Sequence, residues 1–444
     1  MKKFKFTYTQ LIVLSFFGVI AAGGLLLMLP ISSADGEWSS PIEAFFTSVS
    51  STCVTGLVVV DTYTHWSLFG QVVVILLIQI GGLGFMTVMS AFFLITGRKM
   101  RLRNRSLLMQ STGAISRSGI MRLLRRILIG TALIEGLGAA LLSIRFIPRM
   151  GVVEGLWNAV FHSISAFCNA GFDIMGKYEQ FSSFTSYVED PLVSFTLAAL
   201  IIIGGIGFFV WSDIAKNGFN FKRYHLHTKI VVSTTAVLVL GGWLLFYLFE
   251  RDGQLADLSP TGKAVASLFM SVTPRTAGFN TVNMADISTA SVLLTVIFMF
   301  IGGSPGSTAG GIKTTTAAAL VLESVAAAFN RDKVTVFKRR LADSTLKRAS
   351  AVCTIYLLAT AAAVLALCVM EPYGLEQILL EVVSAIGTVG LTMGITPSLC
   401  VASKLILMFL MFMGRVGGLS LVLVLGEKSR VPATERPKEN ILIG

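Results

Sequence analysis

Glycines are the residues of this chain best placed to do chemistry. Gly56, Gly171, Gly278 and Gly390 each stand in a stretch of small side chains: SSTCVTGL over 50–57, AFCNAGF over 166–172, TPRTAGF over 273–279 and AIGTVGL over 385–391. Their separations of 115, 107 and 112 residues are nearly constant, the signature of a repeated unit. A backbone whose successive carbonyls all face one axis is forced into left-handed or strained angles, which glycine adopts without a Cβ clash. Rings of such carbonyls can replace the hydration shell of a cation. The expected chemistry is therefore ion coordination by backbone oxygen. It would occur at a selectivity filter made of Val54, Thr55, Gly56, Asn169, Ala170, Gly171, Thr276, Ala277, Gly278, Thr388, Val389 and Gly390.

Each glycine loop follows an apolar stretch too short to cross a bilayer, at 41–51, 154–167, 262–272 and 374–386. As helices these are roughly 16–20 Å long, about half a membrane. A half-helix that stops in mid-membrane aims its C-terminal carbonyls, carrying partial negative charge, at the centre. Exposed backbone at that depth is tolerated only where it is buried in protein or lines water. A second glycine set keeps step with the first: IGGLGF at 80–85, IGGIGF at 203–208, IGGSPG at 301–306 and MGRVGG at 413–418, whose first glycines fall 25, 33, 24 and 24 residues after the respective loop glycines.

The elements that position these loops are apolar runs at about 11–30, 70–96, 127–147, 192–211, 230–249, 291–302 continuing as 314–329, 351–370 and 403–425. With 54% hydrophobic and 14% charged residues, the solvent of this chain is lipid. The expected fold is all-α and integral to the membrane, with eight transmembrane helices as four helix–pore loop–helix repeats around one central pore. The repeats would span 1–97, 98–216, 217–330 with the sixth helix alone interrupted at 302–314, and 331–426, followed by a cytoplasmic tail at 427–444. The net charge of +12 does not indicate nucleic acid, because 27 of the 36 Lys and Arg fall in 1–5, 98–126, 216–229, 331–348 and 428–438, between apolar pairs. Positive loops face the cytoplasm, so both termini are expected there, in the cytoplasmic membrane. The first run is a full span that the repeat pattern requires, and is read as a helix rather than a signal peptide. Five cysteines show no metal or disulfide spacing.

The four loops, GGSPGSTAGGIKT at 302–314 and Arg415 in MGRVGG together resemble the membrane component of bacterial Ktr-type potassium uptake systems, in the Trk/Ktr/HKT superfamily. That resemblance implies potassium translocation by a homodimer with one pore per protomer, frequently with sodium as activator. Potassium would bind the filter carbonyls of Thr55, Gly56, Ala170, Gly171, Ala277, Gly278, Val389 and Gly390. It also implies a cytoplasmic nucleotide-binding regulatory ring of the Ktr type, with ATP or ADP acting only through that partner and no covalent cofactor. In the family a serine at the first filter glycine goes with sodium preference, and Gly56 therefore favours potassium. Trk-type members usually carry extra crossings first, whereas this chain starts ten residues before its first run, which favours Ktr. Only Thr388–Gly390 approaches the potassium-channel signature TVGYG.

Residues 302–314 could be taken for a phosphate-binding loop, but Ile312 separates Gly311 from Lys313 and a membrane helix precedes it. The segment Gly302, Gly303, Ser304, Pro305, Gly306, Ser307, Thr308, Ala309, Gly310, Gly311, Ile312 and Lys313 is expected instead to unwind below the filter as a gate. The bland alternative is a packing kink. Arg415, in an apolar span where it costs about 2.5–3.5 kcal/mol, would set a cation barrier and tether that loop, or else form an ion pair or a contact between protomers. Asn169 and Arg275 are read as braces behind the loops. Glu135, Glu323 and Glu381 could relay protons or bind sodium, but such acids more often pair with a base or a helix end. His225 and His227 lack further metal ligands nearby. The loop cations are expected to meet membrane lipid or an acidic partner face. The competing function is a sodium- or proton-coupled secondary transporter. The chain carries no catalytic domain and is expected not to be an enzyme.

Overall fold

The computed structural model describes residues 8–84, 120–177, 179–331 and 333–418. The basic loop over 98–119, the distal parts of the second and eighth apolar runs, and the expected tail lie outside them. Among the described residues the chain is helical apart from one short hairpin, Thr335–Val336 paired with Arg339–Arg340.

Four units succeed one another, each a helix, a shorter helix, a glycine loop and a further helix. The first contains α1 (Tyr8–Met28), α2 (Pro41–Cys53) and α3 (Leu68–Leu83). The second contains α4 (Ile120–Met150), α5 (Val152–Cys168), α6 (Pro191–Gly205) and α7 (Phe208–Asn217). The third has α8 (Leu226–Glu250), α9 (Pro260–Val272), α10 (Thr289–Phe300) and α11 (Thr314–Ala328). The fourth has α12 (Asp343–Met370), α13 (Leu375–Gly387) and α14 (Val401–Val416). Their starts carry local signals. Pro at the first turn opens α2, α6 and α9, and Asp190 and Ser259 accept first-turn N–H groups of α6 and α9.

Among the described residues, four helices are long and apolar enough to cross a membrane, over 10–28, 124–150, 226–250 and 343–370, or five if the α6–α7 pair counts as one broken span. Their outer faces carry exposed Leu133, Val237, Leu365 and Val369, as expected of helices that are apolar all round and meet lipid. The apolar runs predict eight spans with only the sixth interrupted. Instead, α6 and α7 meet at 96°. The helix that follows the glycine loop in every unit stops at the second glycine set: α3 before Gly84 (φ +82), α6 near Gly207 (φ +95), α10 at Ile301 and α14 before Gly417 (φ +94). A residue at positive φ cannot continue a right-handed helix, so left-handed glycines hidden in apolar sequence end α3 and α14 and break the run at α6–α7, whereas α10 ends at Ile301, whose φ is −96°, before the interruption that the sequence announces.

The short helices form the buried centre, with Phe46, Phe161, Phe167, Phe269, Val382 and Ile386 almost inaccessible. They are locked by a cyclic arrangement: α3 packs on α5, α6 on α9, α10 on α13, and α14 returns to α2. Each unit thus supports the next unit's half-helix.

Candidate functional site

At the end of α2, α5 and α13 the chain turns through a left-handed residue, Val54 (φ +58), Asn169 (φ +60) and Thr388 (φ +52). Thr276 (φ +66) occupies the same place after α9. Two residues later all four glycines are also left-handed, at φ +93, +70, +79 and +96 for Gly56, Gly171, Gly278 and Gly390. Four dissimilar sequences therefore adopt one backbone.

The glycines meet in a closed ring. A Cβ added to Gly56 would lie 2.5 Å from the Ala170 carbonyl oxygen and 3.0 Å from the Cα of Gly171. One on Gly171 would lie 2.7 Å from the Ala277 oxygen, and one on Gly278 would collide with the Val389 oxygen. A Cβ on Gly390 would collide with the Thr55 oxygen, which closes the circuit from the fourth unit to the first. Eight of the twelve residues expected at a filter, Thr55, Gly56, Ala170, Gly171, Ala277, Gly278, Val389 and Gly390, are thus brought together, with main-chain oxygens crowded against the neighbouring glycines.

A hydroxyl near the end of each half-helix holds its own loop, a feature that sequence reasoning missed. Ser50 and Ser384 accept the N–H of Gly56 at 3.1 Å and of Gly390 at 2.9 Å. Ser165 and Thr273 donate instead to the carbonyls of Phe172 at 2.7 Å and Phe279 at 2.5 Å. Asn169 reaches forward as well as bracing, with Nδ2 3.4 Å from the Arg275 carbonyl and from Thr276 Oγ1. Arg275 is buried behind its loop and donates to Thr235 Oγ1 at 3.3 Å.

Residues 302–313 fold against the underside of this ring. The base is clasped by Gly302 N–H to the Ile312 carbonyl, 2.8 Å, and Thr314 N–H to the Gly303 carbonyl, 3.0 Å. The broken α6–α7 junction receives the loop: Ser304 N–H donates to Gly205 O at 2.9 Å, and Phe208 N–H donates to Gly306 O at 2.8 Å. Thr308 Oγ1 lies 3.1 Å from both Phe167 O and Asn169 Oδ1. A Cβ on Gly310 would strike the Thr388 side chain, and one on Gly311 would sit 2.8 Å from Gly387 O. Lys313 turns inward, donating to Ala309 O at 2.8 Å and Gly310 O at 3.1 Å. Arg415 donates to Thr308 O from Nη1, and to Gly81 O and Gly82 O from Nη2. It has no carboxylate partner among the described residues.

Glu135 and Glu381 likewise have no basic partner among the described residues. Gln79 Nε2 lies 3.1 and 3.2 Å from the two Glu135 oxygens, and Glu381 accepts from Thr392 at 2.7 Å and from Thr396. Glu323, half-buried on α11, is not brought to the ring. His225 stands 3.9 Å from Asp213, and no group of His, Cys, Asp and Glu suited to a metal occurs among the described residues.

Residues 7–429 match the family described as TrkH, a cation transport protein. The chain is 40% identical to the potassium/sodium uptake protein NtpJ of Enterococcus hirae, over 98% of this chain and 97% of that protein. It is 39% identical to the Ktr system potassium uptake protein B of Bacillus subtilis, over 95% and 94%. The crystal structure of the potassium transporter TrkH from Vibrio parahaemolyticus shares the fold, with a TM-score of 0.74 at 20% identity over 96% of this chain and 86% of that one. A closed ring of glycine loops on apolar helices and a match across nearly the whole length lead to one assignment: the chain belongs to the TrkH family of cation transport proteins, which are multi-pass membrane transporters and not enzymes.

Proposed function

We propose that this protein carries potassium across the cytoplasmic membrane through a channel-like path whose selectivity filter is the glycine ring. The observation that carries the reading is the cyclic contact of each loop glycine with the carbonyl before the next one, ending at Gly390 against Thr55. In this reading the carbonyls of Thr55, Gly56, Ala170, Gly171, Ala277, Gly278, Val389 and Gly390 replace the water shell of the ion. The relatives named for potassium uptake support the choice of ion. Residues 302–313 and Arg415 are the gate, since they fill the space beneath the ring and touch three of its four loops.

The architecture that suits this role is four repeats over 1–97, 98–216, 217–330 and 331–426, with eight crossings. Both termini are cytoplasmic in accord with the basic loops. The same reading includes a homodimer, sodium as an activator, and a cytoplasmic nucleotide-binding partner that works the gate with ATP or ADP. The relatives named as parts of a Ktr system support partner proteins. The test is growth and rubidium uptake of a potassium-auxotrophic cell expressing this chain, with and without a nucleotide-binding partner. Uptake that potassium competes and that the partner raises is the expected result. No uptake above the empty cell in either arm, with the protein present in the membrane, would overturn the proposal.

A further inference from the structure

Seven residues before the left-handed turn of each loop, the half-helices carry Thr47, His162, Phe269 and Glu381. The four are equivalent in register, and all lie in the buried face of their half-helix. Only two of them tie the half-helix to the strand that leaves the ring. His162 Nδ1 bonds the Asn158 carbonyl at 2.8 Å, and its Nε2 receives the Ile174 N–H at 3.2 Å, three residues beyond Gly171. Donation from Nδ1 and acceptance at Nε2 fix one neutral tautomer. Glu381 is fully buried and uses both oxygens. One accepts Thr392 Oγ1 at 2.7 Å, two residues beyond Gly390, and the other accepts Thr396 Oγ1. Thr392 Oγ1 in turn accepts the Gly394 N–H at 3.0 Å, at a left-handed glycine with φ +87. By contrast the Thr47 hydroxyl is buried with no hydrogen-bond partner among the described residues, and Phe269 can make no such bond.

In the order in which the loops touch, the second and fourth units lie opposite each other across the ring. One diagonal therefore carries, from this register position, a side-chain tie to the segment that leaves the ring, and the other diagonal has none from that position. We infer that Glu381 is a positioning residue for ion selection: it fixes the strand over 391–396 and thereby the Val389 and Gly390 carbonyls, acting through its two threonine partners and never touching the ion. The role is geometric, so it requires two hydrogen-bonding atoms at this place, not a charge. This inference rests on the reading of the glycine ring as the ion filter.

The experiment compares rubidium and sodium flux into proteoliposomes for Glu381→Ala, Glu381→Gln, Thr396→Val and Gly390→Ser, with the apparent KM and maximal rate for each ion. Glu381→Ala is expected to lower the rubidium-to-sodium preference about three- to tenfold, the scale of one or two lost hydrogen bonds acting on one conformational choice. It should raise the apparent KM for rubidium more than it lowers the maximal rate. Glu381→Gln, which keeps one acceptor oxygen and puts in place of the other an NH2 that can donate to a threonine oxygen, should restore part of the preference. Should Glu381→Ala not fold, Thr396→Val carries the same expectation at about half the loss on a logarithmic scale. An unchanged ion preference in these variants, or an equal fall in both fluxes with KM untouched, overturns the inference. If Gly390→Ser shifts the preference while Glu381→Ala does not, the positioning role alone falls. If neither shifts it, the filter reading falls and takes the inference with it.

Discussion

The guanidinium of Arg415 donates through Nη2 to the carbonyl of Gly82 at 3.0 Å. Gly82 lies in the last turn of α3, whose terminal carbonyls have no partner within the helix and carry partial negative charge. The same nitrogen reaches Gly81, and Nη1 reaches Thr308 in the Gly-rich loop. A single side chain of the fourth unit thereby joins the first unit to the loop of the third. Replacing Arg415 by Ala should release the loop and raise partner-independent rubidium flux roughly three- to tenfold, as loss of about 1 kcal/mol of closed-state preference would. Arg415→Lys should fall between, because an ammonium lacks the planar fork. Concentration series in proteoliposomes with and without the partner check this, and flux that stays at the wild-type level and still depends on the partner would argue against a gate.

Any side chain at the ring should distort it. A serine at Gly56 places its Cβ 2.5 Å from the Ala170 oxygen, closer than real contacts allow, and demands a left-handed backbone besides. Gly56→Ser and Gly278→Ser should each lower the potassium-to-sodium preference on the order of tenfold, equivalent to roughly 1.4 kcal/mol. Relative fluxes of the two ions measure it directly.

The hydroxyl props should not be equal. Ser384→Ala strands the Gly390 N–H that it accepts at 2.9 Å, and a buried unsatisfied donor costs about 1–3 kcal/mol. Ser165→Ala strands a carbonyl instead, and carbonyls tolerate under-satisfaction better than N–H groups do. The expected order of lost selectivity and lost melting temperature is therefore Ser384→Ala beyond Ser165→Ala. Equal losses would count against the asymmetry.

Outside the spans, Glu371 follows α12 and accepts the Cys400 N–H at 2.8 Å, at the start of α14. Burial alone would raise its pKa, but hydrogen bonds from Ser403 and Cys400 and the charge of Lys404 outweigh that and hold it below the ordinary carboxylate value. A depressed folded pKa gives stability that is complete above the unfolded value of about 4.3 and is lost as pH falls through the folded value. Glu371→Gln should melt below wild type at pH 7, with the gap narrowing below about pH 4. Thermal unfolding in detergent at several pH values tests the trend.

Much of the site was legible because glycine spacing records backbone geometry directly. Gly56, Gly171, Gly278 and Gly390 could be aligned without knowing any contact, and Pro305 among glycines announced a break. The break between α6 and α7 was hidden, since IGGIGF sits in an unbroken apolar run and hydropathy does not register a left-handed Gly207. Ser50, Ser165, Thr273 and Ser384 escaped notice for a different reason: a hydroxyl near a helix end is common, and whether it donates or accepts depends on a loop that has yet to fold. Support of each half-helix by the preceding unit is a relation between distant segments and leaves no local trace.

The contact of Gly390 with Thr55 joins residues 335 positions apart. At ordinary translation speeds the ribosome needs on the order of tens of seconds to travel that distance. Until the fourth unit enters the membrane the circle has a missing quarter, so a nascent or truncated chain has no finished conduit. The plug segment 302–313 precedes that last quarter in the chain. Under the gating role proposed above, the order of synthesis delivers the stopper before the hole, and a cell making this protein would not be exposed to an unguarded leak while doing so.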